Sequence, residues 1–140
     1  MNVIELLDII SAGETSRVQF KEKITSPDQL AAEMVAMSNS LGGMILVGVK
    51  DRTGERVGLS YEETQKTQML VGNVATDKVI PLVYVQTEIV ILEEDNVKKN
   101  ILIVYVKEGI SKPFKDKNLV VWLKQGSDKR KLTDNNEQIR

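Results

Sequence analysis

The chain has 140 residues and contains no cysteine and no histidine. Without cysteine there are no disulfides, no zinc–thiolate sites and no thiol catalysis. The absence also fits a reducing compartment, and a cytoplasmic location is expected. Without histidine the commonest general base and the commonest transition-metal ligand are gone. Any hydrolytic chemistry must therefore rest on carboxylates, with or without a hard cation such as magnesium. No apolar run is long enough to span a membrane, and the start MNVIELLDII carries Glu5 and Asp8 in place of the basic start of a secretory signal. It reads as a short amphipathic helix with Val3, Leu6, Leu7 and Ile10 on one face.

What is present is ordinary for one globular domain: 41% apolar and 28% charged residues. The net charge is −1, but its distribution is uneven. Residues 1–106 carry 10 basic and 15 acidic side chains, whereas residues 107–131 carry 8 basic and 3 acidic. A basic C-terminal third is either a solvated lysine-rich face or an electrostatic footprint for nucleic acid.

The stretch NSLGGMILVGVKD, residues 39–51, comes close to a phosphate-binding loop. Gly43 and Gly48 have the required spacing and Lys50 follows, but one place late, and Asp51 stands where a hydroxyl should be. Met44, Ile45, Leu46 and Val47 fill the interval. A phosphate cradle needs free backbone N–H groups, and four apolar residues in a row instead predict a buried strand.

Ahead of that strand the boundaries of a helix are well marked. Ser26 is a natural N-cap, Pro27 suits the first helical position, and Gln29 completes a capping box. Leu30, Met34, Met37 and Leu41 recur at helical spacing beside Ala31, Val35 and Ser38. Gly42 is placed to end the helix in the left-handed conformation. Val18 and Phe20 alternate with Arg17, Gln19 and Lys21, which predicts a half-buried strand before the helix. After it, Asp51 to Gly54 reads as a turn and Glu55 to Leu59 as a returning strand. Residues 61–76 read as a helix with Met69, Leu70, Val74 and Thr67 inward. Strands are expected at Val83 to Glu94, Ile101 to Val106 and Leu119 to Leu123, with a turn at Asp95-Asn96 and another over Lys115 to Asn118. The final NNEQIR reads as the first turn of a further helix, as if a longer protein continued there. The fold class is α+β: a mixed, largely antiparallel sheet with helices packed mainly on one side, in one domain over 1–140.

Five motifs occur in a fixed order: GETSRVQFK (13–21), NSLGG (39–43), ILVGVKD with GERVGL (45–59), KPF (112–114) and WLKQGS (122–127). This order resembles the Schlafen-type AlbA_2 domain, a DNA-binding domain of bacterial transcriptional regulators. The resemblance implies a nucleic-acid-binding module, with DNA as partner, no cofactor and no membrane. Lys21, Lys23, Arg52, Lys112, Lys115, Lys117, Lys124, Lys129, Arg130 and Lys131 are the candidates for phosphate contact. Lysine and arginine of this kind favour sequence-tolerant, salt-sensitive binding. Sequence choice would then come from another part of the full protein, such as a winged helix after residue 140.

The resemblance also implies an alternative. Eukaryotic Schlafen relatives carry three carboxylates on this lobe and cut RNA. By motif, Glu14 matches the first acid and Asp51 the third, while Gln19 stands where the second should be. An amide supplies no negative charge for a hard cation, so the expectation leans away from an enzyme, with no catalytic residue and no metal. A third reading is a dimerisation domain, a homodimer reproducing the two lobes of the eukaryotic chains.

Overall fold

The computed structural model describes residues 1–132. The elements in order are α1 (Val3–Ala12), β1 (Val18–Lys21), α2 (Pro27–Ser38), β2 (Gly43–Val47), α3 (Tyr61–Asp77), β3 (Val79–Ile80), β4 (Val85–Glu94), β5 (Val97–Val106), β6 (Lys115–Asp116), β7 (Trp122–Gln125) and β8 (Asp128–Lys131). The main sheet has the order β1-β2-β5-β4. β1 and β2 are parallel, joined through α2, and the other pairs are antiparallel. β3 pairs with β6, and β7 with β8, as two small ribbons. The architecture is the expected α+β arrangement with a mixed, mostly antiparallel sheet.

Strand alternation sorts the core into two layers. Ile45, Val47, Leu102 and Val104 point to one face, where α2 and α3 bring Met34, Met37, Val71 and Val74. Leu46, Ile101 and Ile103 point to the other, under Leu6 and Ile10 of α1. β2 is paired on both sides, so its backbone N–H groups are consumed in ladders. That disposes of the phosphate-loop reading.

The double glycine after α2 has a packing reason. Gly42 has φ +75, and its N–H donates to Met37 O at 2.9 Å, which closes the helix as expected. A Cβ on Gly42 would lie 2.7 Å from Val106 O, and one on Gly43 would lie 2.7 Å from Arg17 O. Both neighbours are backbone, so the chain turns into the sheet through a space only glycine fits. The Asp95-Asn96 turn is also as expected, with both φ values positive, the geometry of a two-residue hairpin loop.

Five local expectations are corrected. In α2 burial extends beyond the expected stripe to every residue from Leu30 to Ser38, Ala32, Glu33 and Ala36 included, because the β6–β8 region covers its outer side. Leu41 lies past the helix end and is exposed. In α3 the inward residues are Thr64, Val71, Val74 and Ala75, while Met69 is 70% exposed. Residues 55–59 form no strand, only the single bridges Val49–Arg56 and Leu59–Asn100. Leu119 to Val121 precede the strand they were expected to form, and Leu119 sits exposed at φ +64. The pattern LVVWL read as a central strand because its hydrophobicity is continuous, yet only Trp122 and Leu123 enter a strand, in the two-stranded β7–β8 ribbon. The expected helical turn in NNEQIR falls outside the described residues.

Candidate nucleic-acid interface

β1 and β2 run side by side, so their C-terminal ends open together beneath the N-terminus of α2. A cavity of about 220 Å³ lies there, lined among others by Lys21, Lys23, Ser26, Glu33 and Asp51. The Ser26 hydroxyl accepts from Gln29 N at 3.2 Å, which fixes the start of α2. Lys21 Nζ is 3.7 Å from Asp51, and Lys23 Nζ is 3.1 Å from Glu63. Glu63 completes a capping box with Ser60 at the start of α3. The Ser60 backbone N–H, followed by Lys23, holds the Glu63 carboxyl below its ordinary value. Arg52 projects from the exposed turn after Asp51 at φ +70 and has no ion-pair partner among the described residues.

The β7–β8 hairpin leans on this end of the sheet. Gln19, only 7% exposed, donates from Nε2 to Ser127 O at 2.6 Å. Lys124 donates to Glu33 at 3.2 Å and to Ser127 O at 2.9 Å. Cross-strand pairing places Trp122, Lys124, Lys129 and Lys131 on the hairpin face turned to α2, and Leu123 and Arg130 on the other face.

The ten expected phosphate contacts therefore do not share one surface. Lys21 and Lys23 line the open end of β1 and β2, Arg52 follows Asp51 in the turn beside it, and Lys129 lies opposite Lys124 in the hairpin. Lys112 is engaged at the far end of α2, with Ser40 O at 3.0 Å and Glu108 at 2.8 Å. Lys115 lies in β6 and Lys117 in the turn after it, beside Asp28 and Lys78. Lys131 lies over the Trp122 ring, 6.0 Å from its centroid. Lys124 is a correction: its side chain is 1% exposed and its charge is used on Glu33, so it cannot reach a phosphate without breaking a buried ion pair.

The three positions aligned with the Schlafen nuclease carboxylates are engaged separately. Glu14 accepts from Phe20 N at 3.0 Å, Gln19 donates to the hairpin, and Asp51 faces Lys21. Among the described residues no group of three or more Asp, Glu, His or Cys is placed to hold a metal ion. At position 19 the amide nitrogen is used on the hairpin, and the side chain brings no negative charge to such a group.

Two residues passed over in the sequence organise the region. Glu33 is a charge in an otherwise apolar helical run, and that setting was its available signal. Asn39 lies inside NSLGG. Its Nδ2 donates to Phe114 O at 3.0 Å and Trp122 O at 2.9 Å, and its Oδ1 accepts from Phe114 N at 2.6 Å. Asn39 thus ties the NSLGG motif to KPF and WLKQGS, as Gln19 ties GETSRVQFK to the same hairpin.

The fold is that of an α+β domain whose signature motifs meet around α2. The family profile Schlafen, AlbA_2 matches residues 14–133, and the chain belongs to that family. Membership suggests a nucleic-acid-related function. The crystal structure of the DIP2311 protein from Corynebacterium diphtheriae is similar, with a TM-score of 0.62 at 20% identity over 93% of this chain. The chain spans 29% of that protein's length, so the likeness concerns the fold alone. No curated protein matches the chain. Among the described residues no helix is long and apolar enough to cross a membrane.

Proposed function

We propose that this domain binds duplex DNA through backbone phosphates, as a module of a transcriptional regulator. The observation that carries the reading is the cationic rim at the open end of the parallel pair. Lys21 and Lys23 from β1 and its following loop, Arg52 from the turn after β2, and Lys129 from the hairpin come from separate parts of the chain. The contacts Gln19–Ser127 and Lys124–Glu33 hold the hairpin against α2 and β1. Long single-charge side chains on a preset frame suit phosphates, which set register without reading sequence.

Fluorescence anisotropy with labelled duplex DNA at two salt concentrations, with and without Mg²⁺, tests the reading. Contact with about four phosphates implies that a fourfold rise in salt weakens binding by roughly 100-fold. Arg52→Glu with Lys129→Glu should abolish binding while leaving the fold intact, since neither has an ion-pair partner among the described residues. Salt-independent binding, or full binding by the double variant, contradicts the proposal. Cleavage that requires Mg²⁺ would replace it with a nuclease.

A further inference from the structure

α1 covers only part of its face of the sheet. It lies over Phe20, Leu46, Ile101 and Ile103. At the other end of the same face, by the start of β1 and β2, the sheet is only partly covered, and Val18, Met44 and Tyr105 are half-buried. An open groove of about 660 Å³ lies there, with Val18, Met44 and Tyr105 along it and Tyr84 beside it. This is the opposite end of β1 from Lys21, so the groove is separate from the rim described above.

Its chemistry is aromatic and positive. Two of the chain's three tyrosines open onto it. Tyr84, just ahead of β4, is 75% exposed. Tyr105 on β5 donates its hydroxyl to Glu88 on β4 at 2.7 Å, which ties the ring across the two strands. Arg17 and Lys107 stand on the rim. Among the described residues Lys107 has no ion-pair partner, and the Arg17 guanidinium has one hydrogen bond, to the carbonyl of Leu41 at 3.4 Å. The one carboxylate lining the groove, Glu108, is already paired with Lys112 at 2.8 Å.

An exposed ring, Tyr84, and a half-buried one, Tyr105, beside unneutralised cations are what a flexible nucleic-acid strand requires: rings for its bases, charges for its phosphates. A duplex keeps its bases stacked inside and cannot use the rings. An apolar protein partner would leave Arg17 and Lys107 desolvated and unpaired. We infer that the groove between Tyr84, Tyr105, Arg17 and Lys107 binds single-stranded nucleic acid by base stacking. This inference does not depend on the duplex-binding rim.

The test is binding of labelled oligothymidylate and oligouridylate to the whole chain at low salt, with Tyr84→Ala and Tyr84→Trp beside the parent. Tyr84 is exposed enough for both variants to fold. Tyr84→Ala should weaken single-strand binding by about tenfold or more, and Tyr84→Trp should keep or strengthen it. Arg52→Glu with Lys129→Glu should leave it largely intact while duplex binding is lost. Unchanged affinity in Tyr84→Ala overturns the inference, as does absence of single-strand binding by the parent. A parent that sediments as a dimer, with Tyr84→Ala monomeric and equally able to bind oligonucleotide, would also overturn it and make this face an interface between copies.

Discussion

Replacing Lys124 with methionine separates a structural lysine from a binding one. The side chains of Lys124 and Glu33 are 1% and 3% exposed, and their charged atoms are 3.2 Å apart. Lys124→Met keeps the apolar stem but leaves the Glu33 carboxylate buried without its counter-ion. Removing one partner of such a pair costs about 3–5 kcal/mol, a fall of roughly two to three and a half orders of magnitude in the folding constant at about 1.4 kcal/mol per tenfold. The loss should exceed that of a solvent-exposed pair such as Lys66–Glu62, which contributes about 0–1 kcal/mol. Urea denaturation followed through Trp122, the single tryptophan, reads the change, because that ring lies on the same strand as Lys124. Glu33→Leu combined with Lys124→Met removes both charges and should recover most of the loss. If Lys124→Met costs less than about 1 kcal/mol, the pair is not buried in solution and the hairpin is not docked as described. Lys124 would then return to the set of possible phosphate contacts.

Asn39→Ala removes three hydrogen bonds to the chain around Phe114 and Trp122, each with a net contribution of about 1 kcal/mol. A loss of about 3 kcal/mol with a shifted Trp122 emission is expected, and less than about 1 kcal/mol would contradict the stapling role. Gly42→Ala forces a Cβ against Val106 O and the Glu108 N–H at positive φ. Overpacking and backbone strain together should cost roughly 2–5 kcal/mol by denaturation, and a neutral variant would argue against the close approach. Burial, followed by the hydrogen bond to Glu88 and the nearby charge of Glu5, pushes the Tyr105 hydroxyl up to about 12 from 10.0. The Met1 ammonium bonds the same Glu88 carboxylate. A raised folded value means that the Tyr105 contribution is fully present below pH 10.0 and is lost as pH rises through about 12. The phenolate absorbance of one tyrosine should therefore appear late, and Tyr105→Phe should flatten the alkaline loss of stability; three tyrosines titrating together would count against the placement.

Much of the frame was legible because its signals are local. Ser26, Pro27 and Gly42 mark the ends of α2 through capping and backbone conformation, which depend on a few adjacent residues. The run Met44 to Val47 demanded burial, and the Asp95-Asn96 turn demanded a hairpin. The sequence by itself determined the three helices and the four strands of the main sheet in their order, the exclusion of a phosphate loop, and the ordered motifs that mark the family. It could not determine which charges remain free. Lys124 and Lys129 look alike in the sequence, yet strand pairing puts them on one hairpin face and packing against α2 buries only the first. Glu33 drew no reading and Gln19 read as the polar side of a half-buried strand, because nothing nearby in sequence covers them. Their partners are 91 and 108 residues away. Periodicity reports the period of a single element, whereas burial of a polar group depends on what distant chain is folded over it. Tertiary structure alone made that choice here: it spent Gln19, Asn39 and Lys124 on docking the C-terminal hairpin, and left Arg52 and Tyr84 facing solvent and Lys129 half-exposed.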